Sequence, residues 1–223
     1  MQTFTTPAPI STVLHIPAGS IRLIAADRTD TTVEILPADP ARSRDVKTAQ
    51  QTTVTYDDGV LRIHTPDPAN RLFGPSGSIE VTVRLPAGSR IEATAAGAEL
   101  RGVGRLGDVS FTGAQATVTL DETAGAHLDL QAGDVSVGRL GGPARISTRK
   151  GDLRITEAVH GTVTLRTEHG DITVGAARGA SASLDAGTTY GRIRNALANT
   201  DGAAAGLTIH ATTAYGDITA RSL

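Results

Sequence analysis

The feature that most limits what this chain can become is a short motif that keeps returning along its second half. Gly133-Asp134-Val135-Ser136-Val137, Gly151-Asp152-Leu153-Arg154-Ile155 and Gly170-Asp171-Ile172-Thr173-Val174 share a glycine, an aspartate and an alternating apolar tail. Gly191-Arg192-Ile193-Arg194 and Gly216-Asp217-Ile218-Thr219-Ala220 follow the same pattern. Five residues before the first three glycines sit Leu128, Ile146 and Leu165. Carried backwards, that register places worn copies at Ala116-Thr117-Val118, with Phe111, and at Ala98-Glu99-Leu100, with Ala93. The anchors 98, 116, 133, 151, 170, 191 and 216 are then 18, 17, 18, 19, 21 and 25 residues apart. A rival register through Gly107-Asp108-Val109-Ser110 makes the spacing uneven and is set aside.

Each unit reads as two short strands of period 2 separated by a Gly-Asp turn, where Gly supplies positive φ and Asp bonds nearby backbone. A unit of about 18 residues cannot bury its own apolar faces, whereas stacked copies bury each other's. The expectation is an all-β, single-chain β-solenoid, right-handed by the crossover preference. About seven rungs at ~4.8 Å each span roughly 34 Å. Composition agrees: 25 Gly interrupt helices, and 3% aromatic content leaves a narrow interior of Val, Ile, Leu and Ala.

Residues 1–88 are β-rich but less regular and read as an N-terminal β cap, with residues 89–223 as the solenoid, the two forming one continuous unit. Expected strands are Ile10–Ile16, Ser20–Ala25, Thr31–Leu36, Thr52–Tyr56, Val60–His64 and Ser78–Leu85. Asp57-Asp58-Gly59 is a hairpin signal. Pro37–Gln50 and Pro66–Gly77 read as loops.

Charge and cysteine remove several function classes. Twenty-one basic against 23 acidic residues give a net charge of −2, without the basic excess of a nucleic-acid binder. With no cysteine there is no disulfide, thiol nucleophile or Cys-based zinc site. No apolar run is long enough to span a membrane. The first basic residue is Arg22, so no signal-peptide n-region is visible. The expected location is cytoplasmic, or the cell surface if a leader is missing.

The Gly-Asp-Val/Ile repeats resemble those of the bacterial putative-adhesin β-strand-repeat family, a domain of unknown function. The opening is similar too, with Phe4-Thr5-Thr6-Pro7-Ala8-Pro9-Ile10 ahead of Pro17-Ala18-Gly19-Ser20-Ile21-Arg22-Leu23. So are Pro86-Ala87-Gly88-Ser89-Arg90 and the tail from Tyr190-Gly191-Arg192-Ile193 to Ala214-Tyr215-Gly216-Asp217. The resemblance implies a β-solenoid with an adhesin-like role and supplies no catalytic residues.

Candidate sites are few. Gly102-Val103-Gly104-Arg105-Leu106-Gly107 matches a dinucleotide fingerprint, but a strand pattern follows where a helix is needed. Stacked in register, Asp134, Asp152 and Asp171 form a column continued by Arg192 and Asp217. Either they cap their turns or they bind Ca²⁺, whose hard-ligand preference suits carboxylates. One position earlier the column reads Lys150, His169, Tyr190, Tyr215, a strip suited to a sugar or a protein partner. Gly133, Gly151, Gly170, Gly191 and Gly216 are structural turn residues. The six histidines show no ligand spacing.

The preferred reading is therefore a non-enzymatic scaffold or interaction protein with no cofactor and an unidentified protein or glycan partner. The alternatives are a carbohydrate-active β-helix enzyme, which needs convergent acids in a groove, and a calcium-binding repeat protein. A homodimer is expected through the C-terminal rung, Leu207–Ala220, as an uncovered edge.

Overall fold

Alternating apolar and polar residues put Val, Ile, Leu and Ala on one side of each strand, and that side can be buried only against neighbouring coils. The computed structural model describes residues 1–66 and 77–223, and the strands join in one large sheet that is not closed into a barrel. The first region contains β1 (Gln2–Thr5), β2 (Ser11–His15), β3 (Ala18–Ala26), β4 (Asp30–Pro37), α1 (Ser43–Gln51), β5 (Thr53–Asp57), β6 (Val60–His64) and β7 (Ile79–Pro86). A winding run, β8 (Arg90–Ala132), leads to β9 (Val135–Leu140), β10 (Ala144–Ser147), β11 (Leu153–Ala158), β12 (Gly161–Arg166) and β13 (Ile172–Ala176). The last strands are β14 (Ala182–Tyr190), β15 (Ile193–Ala196), β16 (Leu207–Tyr215) and β17 (Ile218–Ser222).

Parallel pairing follows the sequence period. Leu128, Ile146 and Leu165 are aligned on adjacent layers. So are Val118, Val135, Leu153 and Ile172. All seven are buried, so the inward columns form one narrow core. Phe111, fully buried, is the largest side chain in it. Beside it, a Cβ on Gly113 would press on the Phe111 ring, so a small residue there makes room for the aromatic.

Two features depart from simple in-order stacking. The first region does more than cover an end: β2 and β3 are themselves a layer, aligned with Arg90–Thr94 and Gly97–Val103 of β8. Leu14 lies on Ala93, and Gly19 lies on Ala98. The layer formed by β6 and β7 sits on the far side of β2 and β3. In space the order is thus β6–β7, β2–β3, β8, although β2–β3 comes first in the chain. At the other end β16 lies between β12 and β14, and β17 lies between β13 and β15. The outermost layer there is β14–β15.

This corrects the expectation of an uncovered edge at Leu207–Ala220. That segment is paired on both sides, and Leu207, Ile209, Ala211 and Ile218 are buried. The register allows it because Val163, Ile209 and Leu184 occupy equivalent positions, so the period alone does not set the order of the layers.

Antiparallel strands cover the N-terminal end, β4 on β7 and β5 on β6, with β1 on β4. The Asp58-Gly59 hairpin has both residues at positive φ. Within the expected loop Pro37–Gln50, residues from Ser43 form α1, a stretch free of Gly and Pro. The helix is fastened by the buried Asp45, whose carboxylate accepts the Ser78 N–H at 3.0 Å. Most of the expected loop Pro66–Gly77 lies outside the described residues.

Candidate functional site

The repeated turn between the two strands of each coil carries the residues singled out by sequence. Its glycines are steric necessities: Gly151 and Gly170 have φ near +145° and +154°, and a Cβ on either would strike the carbonyl of the glycine one layer away. That close approach brings the next residue of each turn to its counterpart. The Asp134 carboxylate accepts the Asp152 N–H at 2.8 Å, and Asp152 accepts the Asp171 N–H at 2.8 Å. Asp171 accepts the Asp217 N–H at 2.7 Å. Carboxylates repeating at one layer spacing would repel, but here each is held by a backbone donor of its neighbour.

The true order is Asp134, Asp152, Asp171, Asp217, Arg192, because β17 precedes β15 in space. Arg192 therefore ends the row. Its N–H donates to Asp217 at 2.9 Å, and its guanidinium donates at 3.1 and 2.9 Å. These contacts, the backbone N–H first, hold the Asp217 carboxyl below the usual aspartate range. Among the described residues, no group of three or more His, Asp or Glu side chains is placed to hold a metal.

A threonine three residues before four of the five turn glycines is not among the candidates above, although the sequence shows it at Thr148, Thr167, Thr188 and Thr213, with Leu130 in that place before Gly133. Thr167, Thr213 and Thr188 donate to the carbonyls of Gly151, Gly170 and Gly216 at 3.1, 3.0 and 3.1 Å. The hydroxyls thus bond layer to layer inside the corner and fix the outer side of the turn.

On that outer side lies the strip, reordered like the aspartates. Lys150 bridges to His169, and His169 bridges to Tyr215. Tyr215 is aligned with Tyr190. His169 and Tyr215 are stacked with centroids 4.8 Å apart and planes 5° from parallel, and Tyr215 and Tyr190 with 5.0 Å and 7°. Tyr190 and Tyr215 remain 64% and 51% exposed. The stacking covers both faces of Tyr215, so the strip offers ring edges and hydroxyls along its length. At the two ends of the ladder, His169 and Tyr190 each have one face with no described ring against it.

The remaining motifs resolve into packing. Gly102 faces Leu106 and Leu120, Gly104 sits at φ +80° against the Ala25 carbonyl, and Gly107 lies beside Gly88. The fingerprint lies within β8, with no helix following it. An open depression of about 590 Å³ includes Glu92, Asp108, His127 and Arg145 in its lining, and Asp108 is paired to Arg90 at 3.2 Å. No described helix is long and apolar enough to cross a membrane.

Residues 76–221 match the family model described as Toastrack DUF4097. No curated protein matches the chain. Among solved structures, a putative adhesin from Bacteroides fragilis is similar at 11% identity over 98% of this chain and 95% of that one, with a TM-score of 0.48. A putative adhesin from Parabacteroides distasonis is similar at 14% identity over 100% and 95%, with a TM-score of 0.45. A putative cell adhesion protein from Clostridium sporogenes is similar at 11% identity over 100% and 98%, with a TM-score of 0.42.

Proposed function

Because the chain belongs to the Toastrack DUF4097 family, a solenoid-like β fold of unknown function, we propose that it is a non-enzymatic, adhesin-like scaffold that presents the His169–Tyr215–Tyr190 ladder to a protein or glycan partner. The observation that carries this reading is two large aromatic side chains left more than half exposed on a chain with only six. Aromatic rings held rigid by their backbone lose little entropy on binding, which suits a contact surface. The layers around them are braced by Thr–carbonyl and Asp–amide bonds, so the ladder is preorganised. We take the coil as right-handed and as one structural unit, with the layers from residues 1–88 continuing the rungs of residues 89–223.

An array of purified glycans tests the reading directly. Binding of the wild-type chain should be lost in the Tyr190→Ala/Tyr215→Ala double variant while the melting temperature moves by no more than about 4 °C. A variant that melts much earlier yet binds as before makes the rings structural and overturns it. Turnover of any polyanionic glycan on the same array replaces the scaffold with an enzyme. A calcium titration is expected to leave the melting temperature unmoved, since the Asp134, Asp152 and Asp171 carboxylates already accept backbone N–H groups.

A further inference from the structure

We propose that two copies of this chain dock through the edge formed by β14 and β15, each β14 pairing antiparallel with β15 of the second copy. Among the described residues β14 is laddered to β16 alone and β15 to β17 alone. The Ala182 N–H donates to the Ala198 carbonyl at 3.0 Å, and past it each strand leaves one row of backbone N–H and C=O groups without a ladder partner. The interior is open at the same place: Leu184 and Ala186 are half-buried, and Ile193 is 45% exposed. Edges of this kind are normally blunted by lysine, proline or a covering segment. Neither strand contains Lys or Pro.

A second copy is the occupant favoured by register and charge. In an antiparallel ladder, facing residues point to the same side of the sheet. On β14 the outward residues are Ser183, Asp185 and Gly187, alternating with inward Leu184 and Ala186, which align with Ile209 and Ala211. On β15 Ile193 aligns with the inward Ile218, which leaves Arg194 outward. A two-fold axis at the Tyr190 corner then sets Ala186 opposite Ile193, and Asp185 opposite Arg194, of the second copy. Symmetry makes each pair twice. Pairing each strand with its own copy never brings Asp185 to Arg194, and one such register sets Arg194 against itself. The Asp185 and Arg194 side chains are 83% and 59% exposed. Within the chain Asp185 meets His210 Nδ1 at 3.3 Å and Arg194 meets Asp217 at 3.9 Å, so the contact across the axis adds to these solvent-facing pairs.

The other end explains why assembly stops at two. There β4 and β5 run antiparallel over β7 and β6, so no parallel layer is open to receive a tail. Tail-to-tail contact is isologous and closes. The two Tyr190 rings meet near the axis, where the free outer face of each lies.

Sedimentation equilibrium at micromolar concentration tests this, whatever the ladder binds. The wild-type chain is expected to be a dimer. Asp185→Arg and Arg194→Asp should each weaken dimerisation by about tenfold or more, and the double variant should return to within about threefold of wild type. Circular dichroism should show all four proteins equally folded, because both side chains are exposed. A monomeric wild type overturns the proposal. So do single charge reversals that leave the dimer unchanged, or a double reversal that fails to restore it.

Discussion

At the N-terminal end the chain, after β1, enters the second layer as β2–β3, lays down the outermost parallel layer as β6–β7, and returns beneath as β8. At the C-terminal end it lays down the outermost layer as β14–β15 and then fills the gap behind it with β16–β17. At one end β2–β3 and at the other β16–β17 lie between two paired neighbours, where fraying is opposed from both sides, whereas β1 is held by β4 alone. They differ in what lies outside. Strands β4 and β5 cover β7 and β6, and α1 is fastened to Ser78. The open side of β14–β15 carries no further strand among the described residues; only the segment after β15 meets this end, through the Ala198 carbonyl on the Ala182 N–H and the half-buried Leu197. Stability and contact capacity are therefore divided: the interleaved layers hold the fold, and the bare layer keeps apolar and aromatic surface available.

The largest expected effect sets an interleaved layer against the bare one. Leu23 and Ile209 are fully buried, one near each end. Truncation of either to Ala should cost about 2–5 kcal/mol, the usual range for a core aliphatic. Ile193→Ala should cost less than about 1 kcal/mol in the monomer, because the side chain is already 45% exposed. Urea denaturation of the three variants measures this. If Ile193→Ala matched Ile209→Ala, the C-terminal end would be as closed as the other.

That asymmetry marks the limit of what the sequence discloses. The inward columns were legible because glycine and the apolar residue five before it recur at nearly constant spacing, and Leu128–Ile146–Leu165 stack as read. Gly19 with Leu14 obeys the same rule, but serine follows it instead of aspartate, so the copy reads as part of a cap. The layer at β7 starts at Ile79 where the adjacent layer has Gly19, which removes the marker altogether. Layer order was not legible for a different reason. Val163, Ile209 and Leu184 present the same small aliphatic shape in the same register, so exchanging neighbours changes no local pattern. The order of the aromatic strip is hidden for the same reason, since Tyr215 rather than Tyr190 touches His169.

A smaller effect compares the buried hydroxyls of the two ends. Thr213 donates to the Gly170 carbonyl at the C-terminal end, whereas Thr6 and Thr31 bond each other at 2.8 Å at the N-terminal end. Thr→Val at position 213 or 31 keeps the shape and removes one bond, and each should cost about 1 kcal/mol. The readout separates the ends further. Hydrogen exchange should rise around Gly170 and Gly216 for the first variant and along β1 and β4 for the second. Spread of either change to the opposite end would mean that the layers open as one unit.

The smallest effect lies in two carboxyls, one at each end, both held below the ordinary aspartate value of 3.8. For a lowered carboxyl the added stability is present above the ordinary value and is lost as pH falls through the lowered one. Both ends should therefore loosen only in acid below about pH 4, and slightly, because both groups remain partly open to solvent. The causes differ. Asp30 is held first by the Arg28 guanidinium, which donates at 3.0 and 2.9 Å. Asp217 is held first by the backbone N–H of Arg192, and its side chain comes second. Alanine keeps that N–H. Arg28→Ala should thus return Asp30 close to its ordinary titration midpoint, whereas Arg192→Ala should leave Asp217 part of the way below its own. NMR titration of the two carboxyl carbons distinguishes them. Equal recovery at both sites would show that Asp217 depends on the guanidinium as Asp30 does, and that the layer-to-layer amide bond does not govern its charge.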